Sequence, residues 1–417
     1  MVLSLKQEIF IILLLIGISA CSEKTKIESN QAEAFIKIFS NGLNDVGNDV
    51  KQKPDGGYVI TGTTTSPTTL KNSAFFIETD KFGNLIGKQQ VFENEFNSEG
   101  NSIALTPDGG YVIAGTINSA NEGTDVLVIK LDASGNVLWN KTYDTLHLDD
   151  DAYCVRINRI GNIVLTGSAK LDDLANGYGK QLWFLELNTN DGSIVNSILV
   201  GSQFYSLSDY SSETGKYIEL LPESNEYLVI GTTTTFDGKQ SSIYFVKIRV
   251  PGGILSGRTS FITNTAKNES GTAVIFLEDI EKYLILGTST KTNGYQQLSL
   301  TLLNDTMINT SNYQQLYLGD QSIQYEACCM KRATDGNFII LSNRIVAGNS
   351  DIDILKVDGY LNKLSSTEHW YGDNKDQTAS AFDFTSDGGY IIVGTNKPTD
   401  KKSEIVLIKT SAEGAFK

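Results

Sequence analysis

The chain is short of most residues that reactive sites need: two histidines, four cysteines, three tryptophans, three methionines and six prolines among 417 residues. The two histidines, His147 and His369, have no second histidine at ligand spacing, which argues against a histidine metal centre and against a Ser-His-Asp triad. Of the cysteines, Cys154, Cys328 and Cys329 cannot all pair with one another, and no spacing suits a disulfide framework or a zinc site. Free thiols acting as small apolar residues are expected, a strained Cys328–Cys329 bridge being the alternative. Positive charge is also scarce: 34 Lys and Arg against 49 Asp and Glu leave a net charge of −15. With no basic patch, that balance excludes a nucleic-acid partner and argues against adhesion to anionic lipid headgroups. No glycine-rich turn leads into a helix, so a phosphate cradle is excluded as well. The apolar run Ile9–Ala20 has the length of a secretory h-region and is too short to span a bilayer.

That run follows Lys6 and closes in "GISAC", small residues directly before Cys21. The sequence resembles the lipobox of bacterial lipoproteins. The resemblance implies a signal peptide over 1–20 and a thioether-linked diacylglycerol, with further acylation such as palmitate, on Cys21. It also implies that Ser22, in place of an aspartate, directs the protein to the outer membrane. Acyl chains contribute roughly 0.8 kcal/mol per buried CH₂, so several hold a protein to a membrane without a transmembrane helix. Residues 21–32 then form the lipidated cysteine and a polar tether.

What the chain has in quantity is glycine, threonine and short apolar segments. "PDGGYVITGT" at 54–63 is nearly repeated as "PDGGYVIAGT" at 107–116 and "SDGGYIIVGT" at 386–395. Taking the glycine that ends the apolar run as a marker gives Gly62, Gly115, Gly167, Gly231, Gly287, Ser342 in a glycine's place, and Gly394. The intervals are 53, 52, 64, 56, 55 and 52 residues. Seven units at this period predict an all-β fold over 33–417, a seven-bladed propeller of four-stranded antiparallel blades. Second strands such as "GGYVIAGT" and third strands such as "DVLVIKLD" are continuously apolar, as strands covered on both faces must be. Fourth strands such as "NVLWNKTY" (136–143) and "NLIGKQQVF" (84–92) are more polar, as outer edges should be. First strands such as "NSIALT" (101–106) are expected to line the central channel. "PDGG" and "DASGN" are read as hairpin turns rather than binding loops. The last unit ends where a fourth strand should begin, and "EAFIKIFSNG" (33–42) reads as an orphan fourth strand. The N-terminal segment is therefore expected to complete the last blade. The excess in the 64-residue interval, 201–215, is read as a long loop.

"DGGYVIAGT", "DVLVIKLDASGNVLWNKTY" and "TSDGGYIIVGT" resemble the repeats of exported bacterial propeller proteins of the Gram-negative envelope. That resemblance implies fold and export and is silent on activity. "LDASGNVLW" (131–139) is also similar to quinoprotein-type repeats, which place docking tryptophans around an eight-bladed ring. Only Trp139 stands at that position, so no quinone cofactor is expected, and no other cofactor or metal.

Function is expected on one face, where the connections from strand two to three and from strand four to the next blade emerge together. Asp149, Asp150, Asp151 and Tyr153 form its sharpest cluster, with Tyr178, Tyr205, Tyr210, Tyr295 and Asp373 on neighbouring loops. Aspartates beside tyrosines suit a saccharide by stacking and hydrogen bonding, or a cation. The expectation is a monomeric, non-catalytic module of the outer membrane that recognises a protein or glycan. A carbohydrate-active hydrolase or lyase using loop carboxylates at the channel mouth is the alternative.

Overall fold

The computed structural model describes residues 34–415 apart from 121–122, 146–147, 171–178, 202–210, 223, 236–239, 252, 262–265, 292, 305–312, 321, 365–367, 374 and 399–401. Among these residues there are 28 strands and no helix. The lone strand β1 (Phe35–Phe39) precedes blade one, which is β2 (Asp45–Gln52), β3 (Tyr58–Thr65), β4 (Asn72–Thr79) and β5 (Gln90–Val91). Blade two is β6 (Ser98–Leu105), β7 (Tyr111–Asn118), β8 (Thr124–Leu131) and β9 (Val137–Tyr143). Blade three is β10 (Asp150–Ile157), β11 (Ile163–Lys170), β12 (Lys180–Leu187) and β13 (Ile194–Val200). Blade four is β14 (Ser211–Leu220), β15 (Glu226–Thr235), β16 (Ser241–Arg249) and β17 (Gly253–Phe261). Blade five is β18 (Ala266–Leu277), β19 (Lys282–Lys291), β20 (Gln296–Asn304) and β21 (Tyr313–Leu318). Blade six is β22 (Gln324–Arg332), β23 (Phe338–Val346), β24 (Asn349–Val357) and β25 (His369–Tyr371). The last blade holds only β26 (Asp376–Phe384), β27 (Tyr390–Lys397) and β28 (Glu404–Lys409) from its own repeat.

Its fourth strand is β1. The order is β1-β28-β27-β26, antiparallel, with Phe35 opposite Lys409 and Phe39 opposite Ile405. Phe35 and Phe39 turn inward and pack on the core between the first and last blades, while Ile36 and Ile38 point out. The Phe35 ring meets Tyr58 edge-on, centroids 6.1 Å apart. Across the same junction the Asp45 N–H donates to the Ser403 carbonyl at 3.0 Å. Pairing both ends in one sheet removes two open strand edges.

Seven apolar cores hold the ring, one at each junction between blades. Middle strands supply them because both their faces are covered: residues 58–62 of β3 and 111–115 of β7 are buried without interruption. The outer β9 is exposed over most of its length. Burying one such aliphatic or aromatic side chain contributes about 1.5–3 kcal/mol, and the gain is shared between blades that could not fold alone.

Two expectations need correction. Of "NLIGKQQVF" only Gln90 and Val91 form a strand, with an isolated bridge at Leu85. Gly87, at φ +72°, turns the chain off the ladder between them. In the long interval, Ser211 to Gly215 belong to β14 and pair with Thr235 to Gly231, so the strand takes up part of the expected loop.

The repeated decapeptide makes the tight turn between first and second strands. In "PDGG" the first glycine, Gly109, lies at φ +81°, and a Cβ on the second, Gly110, would stand 2.2 Å from the Leu131 carbonyl oxygen. Asp108 accepts from the Gly110 N–H at 3.0 Å and pairs at 2.9 Å with Lys130, an almost fully buried ammonium on β8. Lys409 and Asp387 repeat the pair at 2.9 Å, and Lys356 and Asp335 repeat it at 2.6 Å. In blade one the lysine moves instead: Asp55 keeps the turn position, Glu78 stands where Lys130 would, and Lys53, in the place of Thr106, bridges the two at 2.8 and 2.6 Å.

Candidate functional site

The first strands β2, β6, β10, β14, β18, β22 and β26 together line a central cavity of about 440 Å³. Each carries a bulge at the cavity, an extra residue left out of the pairing with its second strand, and β18 has a second irregularity between Ala266 and Asn268. The bulge residues are Asn48, Asn101, Tyr153, Lys216, Thr272, Cys328 and Ser380. The bulge explains the marker glycine. It pushes a carbonyl oxygen to where a side chain would be: a Cβ on Gly115 would lie 1.8 Å from the Glu99 oxygen, and one on Gly167 1.7 Å from that of Asp151. The bulges lie near the middles of the first strands, and their side chains ring the cavity.

Some ring members lace the blades together. Asn48 Nδ2 donates to the Gly100 carbonyl at 2.9 Å, Asn101 Nδ2 to Ala152 at 2.8 Å, and Cys328 Sγ to Ala379 at 3.4 Å. Lys216 reaches the neighbouring blade through a ring rather than a hydrogen bond, its ammonium lying 3.3 Å from the centre of the Tyr153 ring. Burial lowers the Lys216 amine to about 8, with nearby Lys180 adding to the effect and Asp151 opposing it. One level deeper, the Arg156 guanidinium stacks 4.9 Å from the Tyr217 ring and donates from Nη1 to the Val155 carbonyl at 2.9 Å. Lys51 is bound to Asp49 and Lys331 to Asp383, the latter at 2.5 Å. Burial alone would raise the Asp49 carboxyl, but Lys51, the Ile103 N–H and Arg156 outweigh it and hold it low.

The expected acidic cluster separates into three roles. Asp149 sits on the four-to-one connection, 3.5 Å from Lys170. Asp150 and Asp151 are corrected from loop to strand: both lie in β10, opposite Ala169 and Ser168. Asp150 is wholly buried and accepts from the Thr145 N–H at 2.7 Å, the Thr145 hydroxyl at 2.9 Å and the Lys170 N–H at 3.2 Å. Burial nevertheless pushes its carboxyl up to about 6. Asp151 accepts from Lys180 at 2.5 Å, Thr124 at 3.2 Å and Ser168 at 3.3 Å. Tyr153, also in β10, enters the cavity ring. Tyr295 is exposed on the two-to-three connection of blade five, and Asp373 on the four-to-one connection after β25, bonded to Gln377 at 2.9 Å. Tyr178, Tyr205, Tyr210 and His147 lie outside the described residues, as do 1–33 with Cys21.

The structure adds residues that the sequence reading passed over: the bulge side chains other than Tyr153, and Glu99, Arg156 and Lys180. A signal for the ring existed, since each bulge residue precedes its marker by 14 positions, or by 15 in blades four and five. Glu99 occupies on β6 the register of Asp151 on β10, and burial followed by the Asp151 charge raises its carboxyl. Cys154, Cys328 and Cys329 are free; burial raises the last to about 11. Among the described residues no group of three histidine, cysteine or acidic side chains is placed to hold a metal ion.

Seven four-stranded antiparallel blades around a central channel define a seven-bladed β-propeller. No family model and no curated protein matches the sequence. The fold is similar to a solved puromycin hydrolase, at 9% identity over 85% of this chain and 50% of that one, with a TM-score of 0.53. Other similar structures are a Dyadobacter fermentans protein of unknown function (10% identity, 91% and 98% covered, TM-score 0.47) and the β-propeller domain of the Trilobed protease from Pyrococcus furiosus (13%, 91% and 97%, 0.48). At these identities the likeness concerns the fold.

Proposed function

We propose that this chain is an exported, monomeric propeller, anchored to the outer membrane through a lipidated Cys21, that binds a saccharide of the cell envelope at the mouth of its channel without transforming it. The observation that carries the reading is the convergence of seven bulge side chains, one from every blade, on a single cavity of about 440 Å³. That is the size of a small-ligand site, and its rim offers amide, hydroxyl, phenol and amine groups to a polyhydroxylated ligand. The anchor rests on "GISAC" and the polar segment after it. A binding role is favoured over catalysis because Asp150 is spent on a turn and Asp151 on Lys180 and two hydroxyls. Titration of the full-length protein with an oligosaccharide panel tests the reading. Binding that Tyr153→Ala and Asn101→Ala weaken together supports it. Capture of an envelope protein by crosslinkers placed at Tyr295 and Asp373, with no saccharide bound, would replace it by a protein-docking role.

One observation favours a carbohydrate-active enzyme: Glu99 and Asp151 occupy the same register on adjacent blades, and Glu99 is held towards its protonated form. Two neighbouring carboxyls are what acid–base cleavage of a glycosidic bond needs. Under that reading, Glu99→Gln abolishes turnover of a bound oligosaccharide and leaves its affinity intact. Under the binding reading, no turnover exists to lose.

A further inference from the structure

We infer that the ligand of the channel carries an anionic group, a carboxylate or a phosphate, which Lys216 and Arg156 bind inside the cavity; the proposal rests on the saccharide reading only for the remainder of the ligand. The first reason is the sign of the charge. The chain as a whole carries −15, yet its cavity is lined by Lys51, Arg156, Lys216 and Lys331 against the single carboxylate of Asp49.

The second reason is which of these cations are already neutralised. Asp49 serves Lys51, and Asp383 serves Lys331. Among the described residues, no carboxylate stands within ion-pair distance of Lys216 or Arg156. Each lies on an aromatic face, at 3.3 Å from the Tyr153 centroid and 4.9 Å from that of Tyr217. A π-face favours a cation but supplies no counter-charge. Two carboxyls act on Arg156 from beyond ion-pair distance: Asp49, which Lys51 already binds, and Glu219 beside Tyr217, whose carboxyl burial pushes up to about 7. The Lys216 amine, at about 8, remains protonated at neutral pH. Cations withdrawn from water without partners are costly, and an anion with several acceptor oxygens relieves both together. Lys216 bridges two blades only through the Tyr153 ring, whereas Asn48 and Asn101 spend their donors on the neighbouring blade's carbonyl oxygens.

Calorimetric titration of the full-length protein with trigalacturonate, neutral galactotriose and inorganic phosphate tests the proposal. The expected result is trigalacturonate bound at least about tenfold more tightly than galactotriose, equivalent to about 1.4 kcal/mol. Lys216→Gln and Arg156→Gln should each remove most of that preference, and Lys216→Arg should restore it. Thermal melts of the variants establish that they are folded, and added salt should weaken only the anionic probes. Phosphate binding that is lost in Lys216→Gln, with neither sugar bound, would support the anion site and sink the saccharide reading. Equal affinity for the two trisaccharides would sink the anion site and leave the saccharide reading standing. Failure of all three probes would overturn both.

Discussion

Asp108 and Lys130 are a pair whose halves are not equivalent. Lys130 is almost fully buried while Asp108 is more than half exposed. Burial tends to raise the Asp108 carboxyl, but bonds from Thr106, Lys130 and the Gly110 N–H hold it at about 2. Removing the carboxylate leaves a buried ammonium without its counter-charge, held only by the Thr106 hydroxyl and the Leu131 carbonyl at 3.0 Å each, whereas replacing the ammonium with an apolar side chain buries no charge. Asp108→Ala should destabilise by about 3 kcal/mol and Lys130→Met by clearly less, read from urea midpoints; the reverse order would refute the account. A second expectation concerns Gly115, where any Cβ strikes the Glu99 carbonyl across the bulge. Gly115→Ala should cost roughly 3–5 kcal/mol, and a midpoint near wild type would mean the bulge gives way. The turn chemistry of "PDGG" was legible from sequence because it is local. The lysine behind it was not, since it comes from another strand 22 positions away and, in blade one, gives way to Glu78 with Lys53 of the turn bridging the two acids.

Among the elements, β1 has the most leverage for its length. Its five residues add two inward phenylalanines to the junction of first and last blades and complete the ladder on β28. Phe35 and Phe39 are partly buried, so the double substitution Phe35→Ala/Phe39→Ala should cost about 3 kcal/mol or more. Proteolysis should then begin at the last blade, and cleavage starting in blade three or four would place the weak point elsewhere. Second and third strands were readable as continuous apolar runs because two blades cover them. Polar first and fourth strands were harder to bound. Ser211 to Gly215 and Asp150 to Tyr153 contain serine, aspartate and glycine, residues that favour loops in isolation. Pairing with an apolar second strand overrides that preference.

At the scale of the whole molecule, buried carboxyls make stability depend on pH. Burial pushes Asp353 and Glu219 up to about 7, and Asp150 to about 6, against ordinary values near 4. Between about pH 4 and 7 the folded chain holds protons that the unfolded chain releases, so stability falls as pH rises through that window. Below it the sign reverses, because Asp108, at about 2, and Asp387, also held low, lose ion pairs as they protonate. The urea midpoint should therefore peak near pH 4–5 and decline towards pH 8. Asp353→Asn should flatten the decline, and an unchanged slope would discount its burial as a cause.

Sequence alone determined what repeats along the chain: seven units, their turns, the alternation of covered and edge strands, and the pairing of the first strand with the last. Each follows from local chemistry written at a regular period, which needs no knowledge of what lies across the ring. The tertiary structure decided what happens at the centre, where residues about fifty positions apart meet. Only the packing of blade three against blade four puts Lys216 over Tyr153, with Arg156 in the same cavity. The bulges turn Tyr153 and Lys216 inward, while the neighbouring Asp150 is spent on holding a turn.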